Sequence, residues 1–382
     1  MSNAKRDIDI ETLLARGFWE PNDVDGVVPP IITSTTFPFK DPETPGRFVY
    51  SRSSNPTRSF LERAIAELEG VKFGLAFSSG MAAIFTVMLS IGPCKVVAEE
   101  DMYGGTYRLL TKLLPRLGFH VVTADLTNPS EKLFRGAGVV FFETPTNPQL
   151  KAIDISAISE MAHEEGALVV VDNTFATPLL QRPVKHGADV VVHSSTKLIN
   201  GHSDVIGGLV ALNDEELAFR MASIRSIAGC SMSPIDSWLT LRGLRTLHLR
   251  VQRQCENAAM IAEALDSNSR LESVIYPSLP SYPYATTALK QMSGMGCIVT
   301  VRVKGGIDKA LSFLKNLKLF TVAVSLGGVE SLACHPASTT HKSMPKEYRE
   351  RIGLTDDMVR LSVGAENPMD LINDLEEALA SI

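Results

Sequence analysis

The residues best suited to covalent chemistry in this 382-residue chain lie in the run His193-Ser194-Ser195-Thr196-Lys197, which follows an apolar stretch and precedes the turn-rich Asn200-Gly201-His202-Ser203-Asp204. A side chain at the carboxyl end of a strand sits where α/β sheets bind their ligands. Taken alone, Lys197 reads as a solvated surface lysine, as nearly all lysines are. The hydroxyls of Ser194 and Thr196 and the glycine turn beyond change that reading: they suit an amine that forms an imine beside an anchored phosphate. A second run, Val169-Val170-Val171-Asp172-Asn173-Thr174, ends abruptly in an acid. Asp172 by itself reads as a helix cap. With an imine-forming lysine one strand later, its carboxylate suits a ring nitrogen that must stay protonated, because a nearby anion favours the charged form. Third, Phe77-Ser78-Ser79-Gly80-Met81-Ala82-Ala83 is a small-residue turn opening an apolar helix. Helix-terminal amides left accessible at Gly80 make an anion site, although such a turn alone is often no more than a helix start.

Residues so placed need a sheet to hold them. Lys95 to Ala98, Phe119 to Ala124, Val139 to Phe142, Leu168 to Val171 and Val190 to Val192 are β-rich and mostly continuous, the pattern of strands buried on both faces. Helical stretches alternate with them. Thr57 is expected to cap a helix carrying Phe60, Leu61, Ala64, Ile65 and Leu68 on one face, and Asp154 another with Ile155, Ile158, Met161 and Ala162. This order predicts an α/β fold with a mostly parallel sheet wrapped by helices. Before about Tyr50 the chain is rich in Pro, Gly, Ser and Thr and predicts an extended arm that lies against something else, a second subunit being the natural candidate. Ser233 to Leu265 reads as one or two long helices. Beyond them, strands at Ile298 to Val303, Phe320 to Val324 and Val359 to Val363 and helices at Lys309 to Leu317 and Met369 to Ala380 predict a smaller α+β domain. The expected division is an arm over 1–48, a large cofactor-binding domain over 49–245 and a C-terminal domain over 246–382.

Composition narrows the function classes. With 45% hydrophobic and 21% charged residues the chain is globular, and a net charge of -6 without a basic stripe argues against nucleic acid. No apolar run reaches the length of a bilayer crossing, and the charged start at Lys5, Arg6, Asp7 and Asp9 is no signal peptide, so a cytoplasmic location without membrane partners is expected. Cys94, Cys230, Cys255, Cys297 and Cys334 are odd in number and widely spaced, which suggests reduced thiols and neither disulfide framework nor zinc site. His335 and His341 lack a third ligand nearby, and no metal is expected.

Eight ordered motifs then carry a resemblance: Tyr50-Ser51-Arg52-Ser53-Ser54-Asn55-Pro56-Thr57-Arg58, Ser78-Ser79-Gly80-Met81, Tyr103-Gly104-Gly105-Thr106, Glu143-Thr144-Pro145-Thr146-Asn147-Pro148, Val171-Asp172-Asn173-Thr174, Ser194 to Lys197 with Asn200 to Asp204, Ser325-Leu326-Gly327-Gly328, and Val359-Arg360-Leu361-Ser362-Val363-Gly364. In that order they resemble the Cys/Met-metabolism family of pyridoxal-phosphate enzymes, the trans-sulfuration enzymes, over nearly the whole chain. The resemblance implies the fold of type I pyridoxal-phosphate transferases, similar to aspartate aminotransferase. It implies that Lys197 holds pyridoxal 5'-phosphate as a Schiff base, that Asp172 pairs with its ring nitrogen and that Tyr103 stacks on the ring. Phosphate contacts are implied for Ser79, Gly80, Met81, Ser194 and Thr196, with Tyr50 and Arg52 reaching in from a neighbouring subunit of a homotetramer. Arg360, flanked by Asn147 and Ser325, is implied to bind the substrate α-carboxylate, a bidentate task that suits a guanidinium.

Specificity reads less clearly. Val324 stands where the resemblance places a glutamate in cystathionine γ-synthases and γ-lyases, and together with Cys334-His335-Pro336-Ala337-Ser338 it is similar to methionine γ-lyase. Gly105, where methionine γ-lyases carry a cysteine, and Arg108, which matches the cystathionine enzymes, point the other way, as do Asn200 to Gly208 and Phe313 to Thr321. The expectation is a γ-acting cystathionine enzyme, lyase or synthase, with methionine γ-lyase as the alternative. A cofactor-free Schiff-base enzyme or an inactive binding module would leave Asp172 and the phosphate-binding residues unexplained.

Overall fold

Continuous β-branched runs need both faces covered, and the strands of the larger sheet meet that demand: Val190, Val191 and Val192, like Val169, Val170 and Val171, are fully buried. The computed structural model describes residues 8–19, 26–39, 41–44 and 46–382; the charged start at Lys5, Arg6 and Asp7 lies outside them. Strands β1 (Phe73–Phe77), β2 (Lys95–Glu99), β3 (His120–Ala124), β4 (Ala137–Glu143), β5 (Leu168–Asp172), β6 (Val190–Ser194) and β7 (Gly208–Leu212) form a sheet of order β1-β7-β6-β5-β4-β2-β3. β2 runs parallel to β3 and β4, and β4 to β5, while β7 pairs antiparallel with β1. The fold is the expected α/β class. A second sheet, β8 (Leu271–Ile275), β9 (Ile298–Val303), β10 (Thr321–Val322), β11 (Leu332–Cys334) and β12 (Met358–Ser362), has the order β10-β11-β12-β9-β8.

The chain divides into two compact units, residues 1–91 with 191–249 and residues 92–190 with 250–382. In the first unit the helix Pro56–Glu69 buries Leu61, Ala64, Ile65 and Leu68 completely, as its spacing predicts. Its cap differs from expectation. Asn55, not Thr57, accepts the Thr57 and Arg58 amides, with Pro56 at the first helical position where its missing N–H costs nothing. The Thr57 hydroxyl turns outward instead, donating to Pro30 O and accepting the Ile32 amide, each at 2.9 Å, and so stitches the arm to the helix. The arm is not wholly extended either: Ile10–Arg16 is helical, capped by Asp9 and anchored by the buried Leu14.

In the second unit the helices Gly306–Asn316 and Pro368–Ala380 carry Phe313, Leu314, Leu371, Leu375 and Leu379 into one core with Val299, Val301, Val359 and Leu361 of the smaller sheet. Fully burying a side chain such as Phe313 contributes roughly 1.5–3 kcal/mol, and this core fixes β12, the strand that bears Arg360. The strand expected over Phe320 to Val324 shrinks to Thr321–Val322. The chain leaves the sheet on approaching Ser325, which adopts a φ of 89°. Among the described residues no helix is long and apolar enough to cross a membrane.

Candidate active site

In the first unit β6 ends at Ser194, and the chain turns at once: the Lys197 amide donates to Ser194 O at 3.2 Å and Lys197 O accepts from Gly201 at 2.8 Å. Lys197 is thereby held, half-buried, one turn beyond the strand end. The turn itself is fixed by Asn200, buried and bonded to Asp204 Oδ1 at 2.7 Å. The Thr196 hydroxyl lies against Gly207, accepting its amide at 3.0 Å. Beside this turn the helix Gly80–Ile91 begins, with the Ser79 hydroxyl accepting the Ala82 amide at 3.0 Å. The amides of Gly80 and Met81 belong to the first turn, where no intrahelical acceptor exists. A Cβ at Gly80 would stand 2.9 Å from Ser194 Cβ and 3.2 Å from its Oγ, so only glycine lets the helix start approach the strand end. Ser79, Gly80, Met81, Ser194 and Thr196 are thus gathered around one small cradle. Tyr50 and Arg52 lie together on the exposed surface of the same unit, the guanidinium 5.5 Å from the ring centre.

The second unit gathers two further groups. Glu143 and Asp172 end the parallel neighbours β4 and β5 in register. Asp172 Oδ1 accepts the Thr174 amide at 3.0 Å and the Thr174 hydroxyl as well, a local turn and not a helix cap, since the next helix begins at Thr177 after Ala176. Glu143 Oε1 accepts the Tyr103 amide at 2.8 Å. Burial, reinforced by the Asp172 charge, pushes the Glu143 carboxyl well above the usual carboxylate range. Tyr103 opens the short helix Gly104–Arg108 with its ring partly exposed.

Arg360, on β12, forms the other group. It is only 2% exposed, donates from Nη1 to Asn147 Oδ1 at 3.0 Å and from Nη2 to Ser325 O at 2.7 Å, and keeps its buried Nε without a partner. Both acceptors are neutral, and among the described residues no carboxylate pairs with this guanidinium. A buried cation balanced only by dipoles is costly unless an anion joins it, so the geometry prepares an anion site. Asn147 is itself buried, its carbonyl accepting from His341 Nε2 at 3.0 Å. Burial first, and the Arg360 charge second, lower His341 to about 3 and keep it neutral. Next to Asn147, the Thr146 hydroxyl donates to the buried Asp101 at 2.5 Å, which ties this segment to the one that leads into Tyr103.

Arg108 and Val324 stand exposed, bonded to none of these groups among the described residues. Glu143, His341 and Asp101 are not among the sequence-predicted site residues. Glu143 carries a legible signal nonetheless: Val139 to Phe142 breaks off into an acid just as Val169 to Val171 does at Asp172.

An α/β sheet ending in an imine-capable lysine beside a helix-start anion cradle places the chain among the enzymes that carry a phosphate-bearing cofactor. The family described as Cys/Met metabolism PLP-dependent enzyme matches residues 11–380. Cystathionine gamma-lyase of Bos taurus is 46% identical over 92% of this chain and 88% of its own length. Cystathionine beta-lyase of Coxiella burnetii is 41% identical over 99% of this chain and all of its own length. The crystal structure of cystathionine gamma synthase from Xanthomonas oryzae pv. oryzae in complex with aminoacrylate and cysteine superposes with a TM-score of 0.94 at 41% identity, covering 98% of both chains. The chain belongs to the Cys/Met metabolism family of pyridoxal-phosphate-dependent enzymes, as its motifs predict. Pyridoxal phosphate fits the residues present: the cradle that a Cβ at Gly80 would fill suits its phosphate, and the Lys197 amine suits its aldehyde.

Proposed function

We propose that the chain acts at the Cγ–S bond of cystathionine, as a γ-lyase or in the related γ-synthase direction. The observation that carries an amino-acid substrate is Arg360, a buried guanidinium held, among the described residues, by neutral acceptors alone. The similarity to a cystathionine gamma-lyase at 46% identity supports the choice of bond.

Bound pyridoxal phosphate supplies an electron sink for negative charge developing at the substrate Cα. Lys197 would hold the cofactor at its aldehyde, and its Nζ would serve as the base that takes the substrate Cα proton and carries protons to and from Cβ. Asp172 would keep the ring nitrogen protonated, and Tyr103 would hold the ring. The Tyr103 hydroxyl gives its proton to the departing sulfur. The Gly80 and Met81 amides, with Ser79, Ser194 and Thr196, hold the phosphate, and Tyr50 and Arg52 serve the site of a second copy of the chain. Arg360 binds the α-carboxylate through its fork, positioned by Asn147 and Ser325, and Arg108 lies toward the distal end of the substrate.

Methionine γ-lyase is the second reading, and Val324 favours it: an apolar side chain, 54% exposed, offers no charge to a distal amino group. Ammonia and 2-oxo acid release from cystathionine, methionine, cysteine and activated homoserine esters, with and without added cysteine, tests the choice. The proposal expects cystathionine, or an activated homoserine ester with cysteine, to lead, and methionine in first place would overturn it.

A further inference from the structure

We propose that Glu143 is a positioning residue for Tyr103 and through it for the cofactor ring, its carboxyl gripping the backbone amide that opens the helix Gly104–Arg108 while it lies in register with Asp172. The inference rests on the roles proposed above for Tyr103 and Asp172. The helix that Tyr103 opens runs on without a break through Leu109–Leu113 into Leu114–Leu117, and the contacts at its first turn set where Tyr103 stands. Tyr103 has no side-chain cap bond to the helix it starts. Its amide is taken by Glu143 Oε1 at 2.8 Å. The next residue is pinned as well: a Cβ at Gly104 would stand 2.1 Å from Thr340 O. One helical turn on, the Tyr107 ring packs 4.9 Å from that of Tyr348. Among these contacts the Glu143 carboxyl is the one made to Tyr103 itself.

The same carboxyl, itself buried, ends a strand beside the half-buried Asp172, and two adjoining anions would repel. Burial and the Asp172 charge push the Glu143 carboxyl well above the usual carboxylate range, toward its neutral form. A neutral carboxyl still accepts the Tyr103 amide through its carbonyl oxygen, and it adds no second charge beside Asp172. The clamp therefore needs an acceptor of this shape and not a second charge, and glutamine supplies one.

The experiment titrates wild type, Glu143→Gln and Glu143→Ala, each stripped of cofactor, with pyridoxal phosphate, and reads the dissociation constant and the visible circular dichroism of the bound cofactor, which reports how the ring is held. Glu143→Gln is expected to stay within about twofold of wild type in affinity with an unchanged band. Glu143→Ala is expected to bind about tenfold more weakly, the equivalent of one hydrogen bond, with a diminished band. An unaltered band and affinity in Glu143→Ala would overturn the role of Glu143. So would a Glu143→Gln loss about as large as tenfold, which would mean that a charge matters, and this arm decides even if the alanine chain does not fold. A wild-type chain that gives no visible band with cofactor would instead overturn the site reading beneath the inference.

Discussion

Replacing Arg360 probes the substrate anchor, and the structure sets the size of the effect. The guanidinium spends two N–H groups on Asn147 Oδ1 and Ser325 O, and on the proposed reading its remaining donors would serve the incoming carboxylate. Arg360→Lys keeps the charge but loses the fork. One charge-assisted hydrogen bond of about 1.5–3 kcal/mol is forfeited, which corresponds to a fall of roughly 10- to 150-fold in kcat/KM. Arg360→Ala removes the ion pair altogether, at about 3–5 kcal/mol or roughly 150- to 4,000-fold. It also leaves Asn147 Oδ1 and Ser325 O without their donor, so the melting temperature should fall by a few degrees as a separate effect. The assay compares kcat/KM for an amino-acid substrate with that for its carboxamide. Both variants should lose most on the free acid and little on the amide, while pyridoxal-phosphate affinity changes by less than about threefold. Equal losses on acid and amide, or an Arg360→Ala chain with unreduced kcat/KM on the acid, would refute the anchor.

Gly80→Ala places a Cβ 2.9 Å from Ser194 Cβ. The strand end must move, and a cofactor titration should show affinity about tenfold weaker; wild-type affinity would mean that the phosphate does not use this cradle. Val324→Glu should shift preference toward cystathionine over methionine, and an unchanged ratio of the two kcat/KM values would show that the position does not set specificity. His341, held neutral down to about 3 against an ordinary 6.5, binds its proton more weakly folded than unfolded. Its contribution to stability is therefore present above about pH 6.5 and lost as the pH falls from there toward about 3. Denaturant melts at successive pH values should show a shallower acid decline in His341→Gln than in wild type, and identical slopes would contradict the burial argument.

What the sequence disclosed about the site follows from where polar residues interrupt apolar runs. Asp172 and the Ser194 to Lys197 turn are legible because each breaks a valine-rich strand. Elements that depend on distant contacts were harder to read. β1 is short and interrupted by Gly74, which is there because a Cβ would stand 2.0 Å from Glu62 O of the packed helix. Thr57 has the right type for a cap, but its hydroxyl is claimed by Pro30 and Ile32, a partnership no local window reveals. Glu143 lay within a recognised motif without a role because its meaning comes from two neighbours remote in sequence, Tyr103 and Asp172.

The claim on which the rest depends is that the Lys197 amine carries the cofactor. Borohydride reduction of the holoenzyme, followed by proteolysis and mass mapping, tests it directly. The account predicts a single pyridoxyl-phosphate label on the peptide that contains Lys197, absent from Lys197→Ala. A label on another lysine, or none in a chain that has bound the cofactor, would contradict it.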